Sequence, residues 1–194
     1  AGGNNGGVIT MADGALINAG SGTIALTADG NVTLGQLVTS NTVAIISTSA
    51  GVVDGGDTGG TDIQAGAVTI DAKTGVGHGN AIDTTITSLD LDNDTSGNVE
   101  ISETDALNII KIDQDGTGTV NVTAGGTITV TGPVTATAGS VVLDANGVAS
   151  SILVNNPVTT TGGSVSLLAD HDVTFLAVGD VTSANGNVVV TADA

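Results

Sequence analysis

The segment Gly22-Thr23-Ile24-Ala25-Leu26-Thr27-Ala28-Asp29-Gly30-Asn31-Val32-Thr33-Leu34 returns, imperfectly, as Gly163-Ser164-Val165-Ser166-Leu167-Leu168-Ala169-Asp170-His171-Asp172-Val173-Thr174-Phe175. Each copy has a turn glycine, an apolar pair at i and i+2, an Ala-Asp corner and a second apolar pair on the same beat. In a strand, residues at i and i+2 share a face, so the apolar set points inward and the Thr, Ser or Asn between them points to water. A phrase this short cannot bury its apolar face alone. Repeated along a chain, it buries that face by stacking on its neighbours, which predicts a β-solenoid.

The lead apolar residue of successive coils falls at Ile24, Val43, Val68, Val99, Val120, Val141, Val165 and Val188. These positions scatter around a spacing in the low twenties, the length of three short strands with their turns. The expected architecture is all-β: a right-handed parallel β-helix of about eight coils, one solenoid segment over residues 1–194, its hand following the crossover preference. At about 4.8 Å per coil the rod would be about 40 Å long. The coil from Val120 is the clearest, with Val120 and Val122, Ile128 and Val130, and Val134 answered one coil later by Val141 and Leu143, Ile152 and Val154, and Val158. Two intervals are long, 43 to 68 and 68 to 99, which predicts loops projecting at residues 54–62 and 75–98. Neither end reads as a polar cap, and Val188 to Asp193 reads as half a coil, so the chain is expected to belong to something longer.

Composition agrees with a narrow interior. The 40% apolar content is almost entirely Val, Ile, Leu and Ala, with Phe175 the sole aromatic residue and Met11 the sole methionine. Thirty glycines supply turns, and abundant Thr and Val favour strands. The formal charge is −18, with Lys73 and Lys111 as the only Lys or Arg residues, which excludes nucleic acid and anionic membrane surfaces as partners. No apolar run reaches membrane-spanning length, so no membrane insertion is expected. Without cysteine, the interior is held by packing and backbone pairing.

Three stretches carry a family likeness: Gly22 to Gly30, Gly163 to Leu167, and the run from Gly75-Val76-Gly77 through Ile82, Ile86, Leu89 and Leu91 to Gly97-Asn98-Val99-Glu100-Ile101. In style the chain resembles the repeat region of large secreted bacterial proteins of the filamentous haemagglutinin type. The resemblance implies an extracellular, secreted or cell-surface β-helix used in adhesion or in building an outer layer. Its partners would be neighbouring copies or flanking repeats, and a host or neighbouring-cell surface.

Catalytic chemistry is thinly represented, and no enzyme is expected. There is no arginine, the lysines are far apart, and His78 and His171 lack an evident nucleophile. Calcium is the one cofactor suggested: Asp90, Asp92 and Asp94 alternate ahead of Ser96, like the start of an EF-hand loop. Thr95 and Ile101, however, replace that loop's glycine and glutamate. Asp113-Gln114-Asp115-Gly116 and the Gly55-to-Asp62 loop are similarly suggestive, although the latter lacks the full nonapeptide repeat that binds calcium in other β-helices. Alternating aspartates also suit outward strand positions. Thr127 to Thr131 and Thr135 to Thr137 suggest an ice-binding ladder, but the threonines do not recur in place from coil to coil by the spacing above. The leading function is a structural module that stacks end to end. A ligand-binding module for calcium, glycan or ice, with contacts on the two loops, is the alternative.

Overall fold

The computed structural model describes residues 6–57 and 60–193. All its regular elements are short strands, paired in parallel from turn to turn, and they stack as a β-solenoid of about nine turns. The all-β class expected from the repeat phrase is therefore the observed one. One core runs the length of the rod, and its largest fully buried side chains are leucines and isoleucines, among them Leu34, Ile45, Leu89, Ile112 and Leu143. Strand after strand alternates buried and part-exposed residues, as in Val141–Ala145 and Val165–Ala169. This is the periodicity that puts one residue in two into the core.

Three faces can be followed along the rod. On face A, Ile24–Ala28 lies against Thr42–Ser47, with Ile24 beside Val43 and Leu26 beside Ile45. The stack continues with Val43 beside Val68 and Val68 beside Leu89. On face B, Ile9 pairs with Val32 and Val32 with Val52, and Val76 then bridges Val52 to Val99. Face B then runs through Val120, Val141, Val165 and Val188 in unbroken register. Face C carries Ile17 beside Leu37 and Leu37 beside Ile63.

This register corrects the expectation of a swollen coil between Val68 and Val99. These two residues lie on different faces. Val68 belongs to face A and is answered by Leu89, and Val99 belongs to face B and stands over Val76. The interval between them is about one and a third turns of ordinary length. Residues 75–98 therefore do not form an insertion, and half of them lie in the strand Ile82–Asn93. The same shift separates the two copies of the repeat phrase: the five-residue strand Ile24–Ala28 lies on face A, whereas its echo Val165–Ala169 lies on face B.

The change of phase occurs in one place. Val99–Glu103 spans a boundary, Val99 meeting Val76 while Ile101 and Glu103 meet Ile82 and Thr84. Leu107–Gln114 rests on the run from Ser88 to Asn93, and Ile110 bulges out of register between Ile109 and Lys111. Its side chain is correspondingly exposed. A bulge inserts one residue without breaking the parallel stack.

A glycine column marks the corner that leads into face B over the last five turns. Gly97, Gly118, Gly139, Gly163 and Gly186 each begin a Gly-polar-Val triplet. A methyl group on Gly118 would stand 1.8 Å from the Gly97 carbonyl oxygen, and one on Gly139 1.9 Å from that of Gly118. Only glycine lets the turns approach so closely. The polar residue of the triplet ties turn to turn: Thr119 N–H donates to Asn98 Oδ1 at 3.1 Å, Ser164 N–H to Ser140 Oγ at 3.0 Å, and Asn187 N–H to Ser164 Oγ at 3.1 Å.

Candidate binding surfaces

Behind the same corner, inward polar side chains on face A donate to the glycine carbonyls. Thr160 Oγ1 donates to the Gly139 carbonyl at 2.5 Å, and Ser183 Oγ to that of Gly163 at 2.6 Å. Two turns use amides instead. Gln114 Nε2 donates to the Gly97 carbonyl at 2.6 Å, and Asn93 Nδ2 donates to Gln114 Oε1 at 2.6 Å. Asn93 Oδ1 accepts the Gly75 N–H at 2.9 Å. Both amides are fully buried and both are satisfied, as burial of a polar group requires.

The calcium candidates lie on the outer side of the strand Ile82–Asn93 and just beyond it. Asp90 and Asp92 alternate with buried Leu89, Leu91 and Asn93, so their spacing follows from the strand period. Asp92 stacks in register between Asp71 and Asp113, a column of three like charges. The two lysines sit among these groups. Lys111 Nζ lies 2.7 Å from Asp92 Oδ2 and 3.7 Å from Asp90 Oδ1, while Lys73 pairs with Asp94 and lies 3.7 Å from Asp71. The hydrogen bond to Asp92, with the charges of Asp92, Asp90 and Asp113, raises the Lys111 pKa against a smaller desolvation effect. Asp90, Asp92 and Asp94 are thus each engaged by an ammonium group. Among the described residues no group of three or more acidic or histidine side chains is arranged to hold a metal ion.

The 54–62 segment leads from face B into face C; Thr58 and Gly59 within it lie outside the described residues. Its two ends turn inward: Asp54 and Asp62 are buried. Asp54 accepts from the Gly56 N–H at 2.7 Å and from the Asn80 amide, while Asp62 accepts from the Asp83 N–H at 2.9 Å. Burial, together with the neighbouring carboxylates of Asp54 and Asp83, pushes the Asp62 pKa up to about 7. A second interior acid, Glu103, accepts from Thr84 Oγ1 at 2.6 Å, Ile86 N–H at 3.1 Å and Asp105 N–H at 3.2 Å. Burial raises its pKa as well, against the effect of those donors. Glu103 is marked in the chain as the acid on the inward beat of the strand Val99–Glu103. Asp62 precedes the strand Ile63–Ala72, beside the equally buried Ile63, and no strand beat marks it.

His78 and His171 stay apart. His171 Nδ1 lies 3.0 Å from Asp172 Oδ2 on the exposed surface. The threonine reading needs correction: Thr135, Thr159 and Thr182 do recur in register on the outer side of face A. The ladder is three rungs long and gives way to Asp113 below Thr135.

The architecture defines a parallel β-solenoid. No protein-family model, curated protein or solved structure matches the chain.

Proposed function

We propose that this chain is a structural module of an extracellular adhesin, surface matrix or filament, and that it stacks end to end with like modules or flanking repeats. The observation that carries this reading is the continuous register of the rod: from Val99 through Val120, Val141 and Val165 to Val188 each turn pairs in parallel with the next over one aliphatic core, an arrangement to which a further turn of a like module or flanking repeat adds without a change of pattern. Val190 extends the inward column of Leu143 and Leu167 and marks the surface on which such a turn would stack. The likeness to filamentous haemagglutinin-type repeats supports the same use and an extracellular location, with a host or neighbouring-cell surface as the eventual contact.

Sedimentation velocity tests the stacking. The chain is expected to self-associate as concentration rises, more strongly in salt because screening weakens repulsion between acidic rods. Val190→Asp should keep the chain folded and abolish association. A chain that stays monomeric at all concentrations and salt levels would remove the proposal.

A further inference from the structure

A groove of about 510 Å³ runs along the rod on the side where faces C and A meet. Its origin is one extra residue on each flank: Val38 pairs with Gln64 and Thr42 with Ala67, so four steps of the lower turn span three of the next, and the opposite flank repeats the surplus. Glu103 pairs with Thr84 and Asn108 with Ser88, so five steps of the upper turn span four of the lower. The surplus pushes Thr104 to Ala106 outward, and the Ile86 N–H is capped by the Glu103 carboxylate. Glu103 also holds the Asp105 N–H, which fixes the displaced wall.

Each turn contributes polar, mostly uncharged groups to this groove: Ser40 from one, Gln64 from the next, Thr85 and Thr87 from the third, and Asp105 from the fourth, while the Thr39 hydroxyl at its edge is turned inward onto the Gly20 and Gly22 carbonyls. A second hollow of about 240 Å³ shares Thr87 with it and carries the trench on to Thr127 and Thr129. The lining thus spans five turns. It contains no cation, and both lysines are engaged by aspartates elsewhere.

From this geometry we infer that the groove binds an extended, uncharged polysaccharide lying parallel to the rod axis. The rise of about 4.8 Å per turn is close to the length of one pyranose unit in an extended chain, so each turn can serve one sugar. Hydroxyl and amide side chains match sugar hydroxyls as both donors and acceptors, and the Asp105 carboxylate can accept from a vicinal pair. A chain of net charge −18 repels anionic glycans, and nothing in the groove offsets that repulsion. No aromatic side chain lines the groove, so each sugar is held weakly and affinity comes from the length of chain engaged. This inference does not depend on stacking of modules.

The test is titration of the isotopically labelled chain with hexamers of β-1,4-linked glucose and N-acetylglucosamine, with a galacturonic acid hexamer alongside, read by amide chemical shifts. At least one neutral hexamer should give saturable shifts confined to the groove segments named above, with a Kd of about 1 mM. The uronate hexamer should give none. Gln64→Ala and Thr87→Val, both at exposed outward positions, should each weaken binding by about fivefold while leaving the melting temperature unchanged. Absence of shifts with both neutral hexamers, equal binding of the uronate, or shifts centred elsewhere would each overturn the inference.

Discussion

Val68 pairs in register with Leu89, and Val99 stands one face away over Val76. The repeat phrase and the turns of the solenoid therefore run in phase within each half of the chain and out of phase between the halves. The link is the boundary-crossing strand Val99–Glu103 and the bulge at Ile110.

Paired cysteines test that register directly, because the chain contains none of its own. Thr69 and Asp90 are outward neighbours on adjacent turns, so T69C/D90C is expected to close a disulfide under mild oxidation. T69C/E100C, built on the register in which Val68 would face Val99, should stay reduced. Non-reducing mass spectrometry reads the outcome, and the opposite pattern would refute the phase change.

The glycine corner predicts a severe local effect. In Gly139→Ala the new methyl group meets the Gly118 carbonyl oxygen at 1.9 Å and the Thr119 nitrogen at 2.8 Å, both backbone atoms that cannot swing aside. A loss of about 3 kcal/mol or more is expected in denaturant unfolding. Gly79→Ala makes a useful comparison, since a methyl group there has open space around it, although its positive φ adds strain. It should cost about 1 kcal/mol.

The buried amides give a third expectation. Gln114→Leu preserves bulk but removes the donor at 2.6 Å from the Gly97 carbonyl and the acceptor of one Asn93 amide bond, leaving that carbonyl only the Asn93 amide at 3.1 Å. A loss of about 2 to 3 kcal/mol is expected, and Asn93→Leu/Gln114→Leu together should lose less than the sum of the single changes. Additive losses would show that the two amides do not act as a pair.

Stability should fall as pH rises from about 4 to about 7. Asp62 has a folded pKa of about 7 against a reference of 3.8, and Glu103 and Asp144 are shifted in the same direction. An acid whose folded pKa is raised keeps its proton while the unfolded chain has already lost it. Stability is therefore full below the unfolded pKa, and the loss is complete above the folded one. The melting temperature is expected to be higher at pH 4.5 than at pH 8, by several degrees. Asp62→Asn should flatten the profile, because an amide can still accept the Asp83 N–H and donate to Asp54. An unchanged profile in that variant would show that other groups set the dependence.

Much of the fold can be read from local residue order. The i, i+2 apolar pairs announce the strands, and the Gly-polar-Val triplets at Gly97, Gly118, Gly139, Gly163 and Gly186 announce the corner, because each feature acts within a few residues. The phase change is different. It depends on which distant strand Val99–Glu103 settles against, and adjacent turns offer equally apolar partners on neighbouring faces. The groove is hidden for the same reason: one surplus residue between Glu103 and Asn108 has meaning only beside the shorter path from Thr84 to Ser88. Asp90, Asp92 and Asp94 were conspicuous as a string, yet the string cannot show Lys111, about one turn away, lying between two of them.

Electron microscopy of the chain at rising concentration tests the structural role most directly. The account predicts thin rods that lengthen with concentration and salt and diffract with an axial spacing of about 4.8 Å. Short single particles of constant length under all these conditions would contradict it.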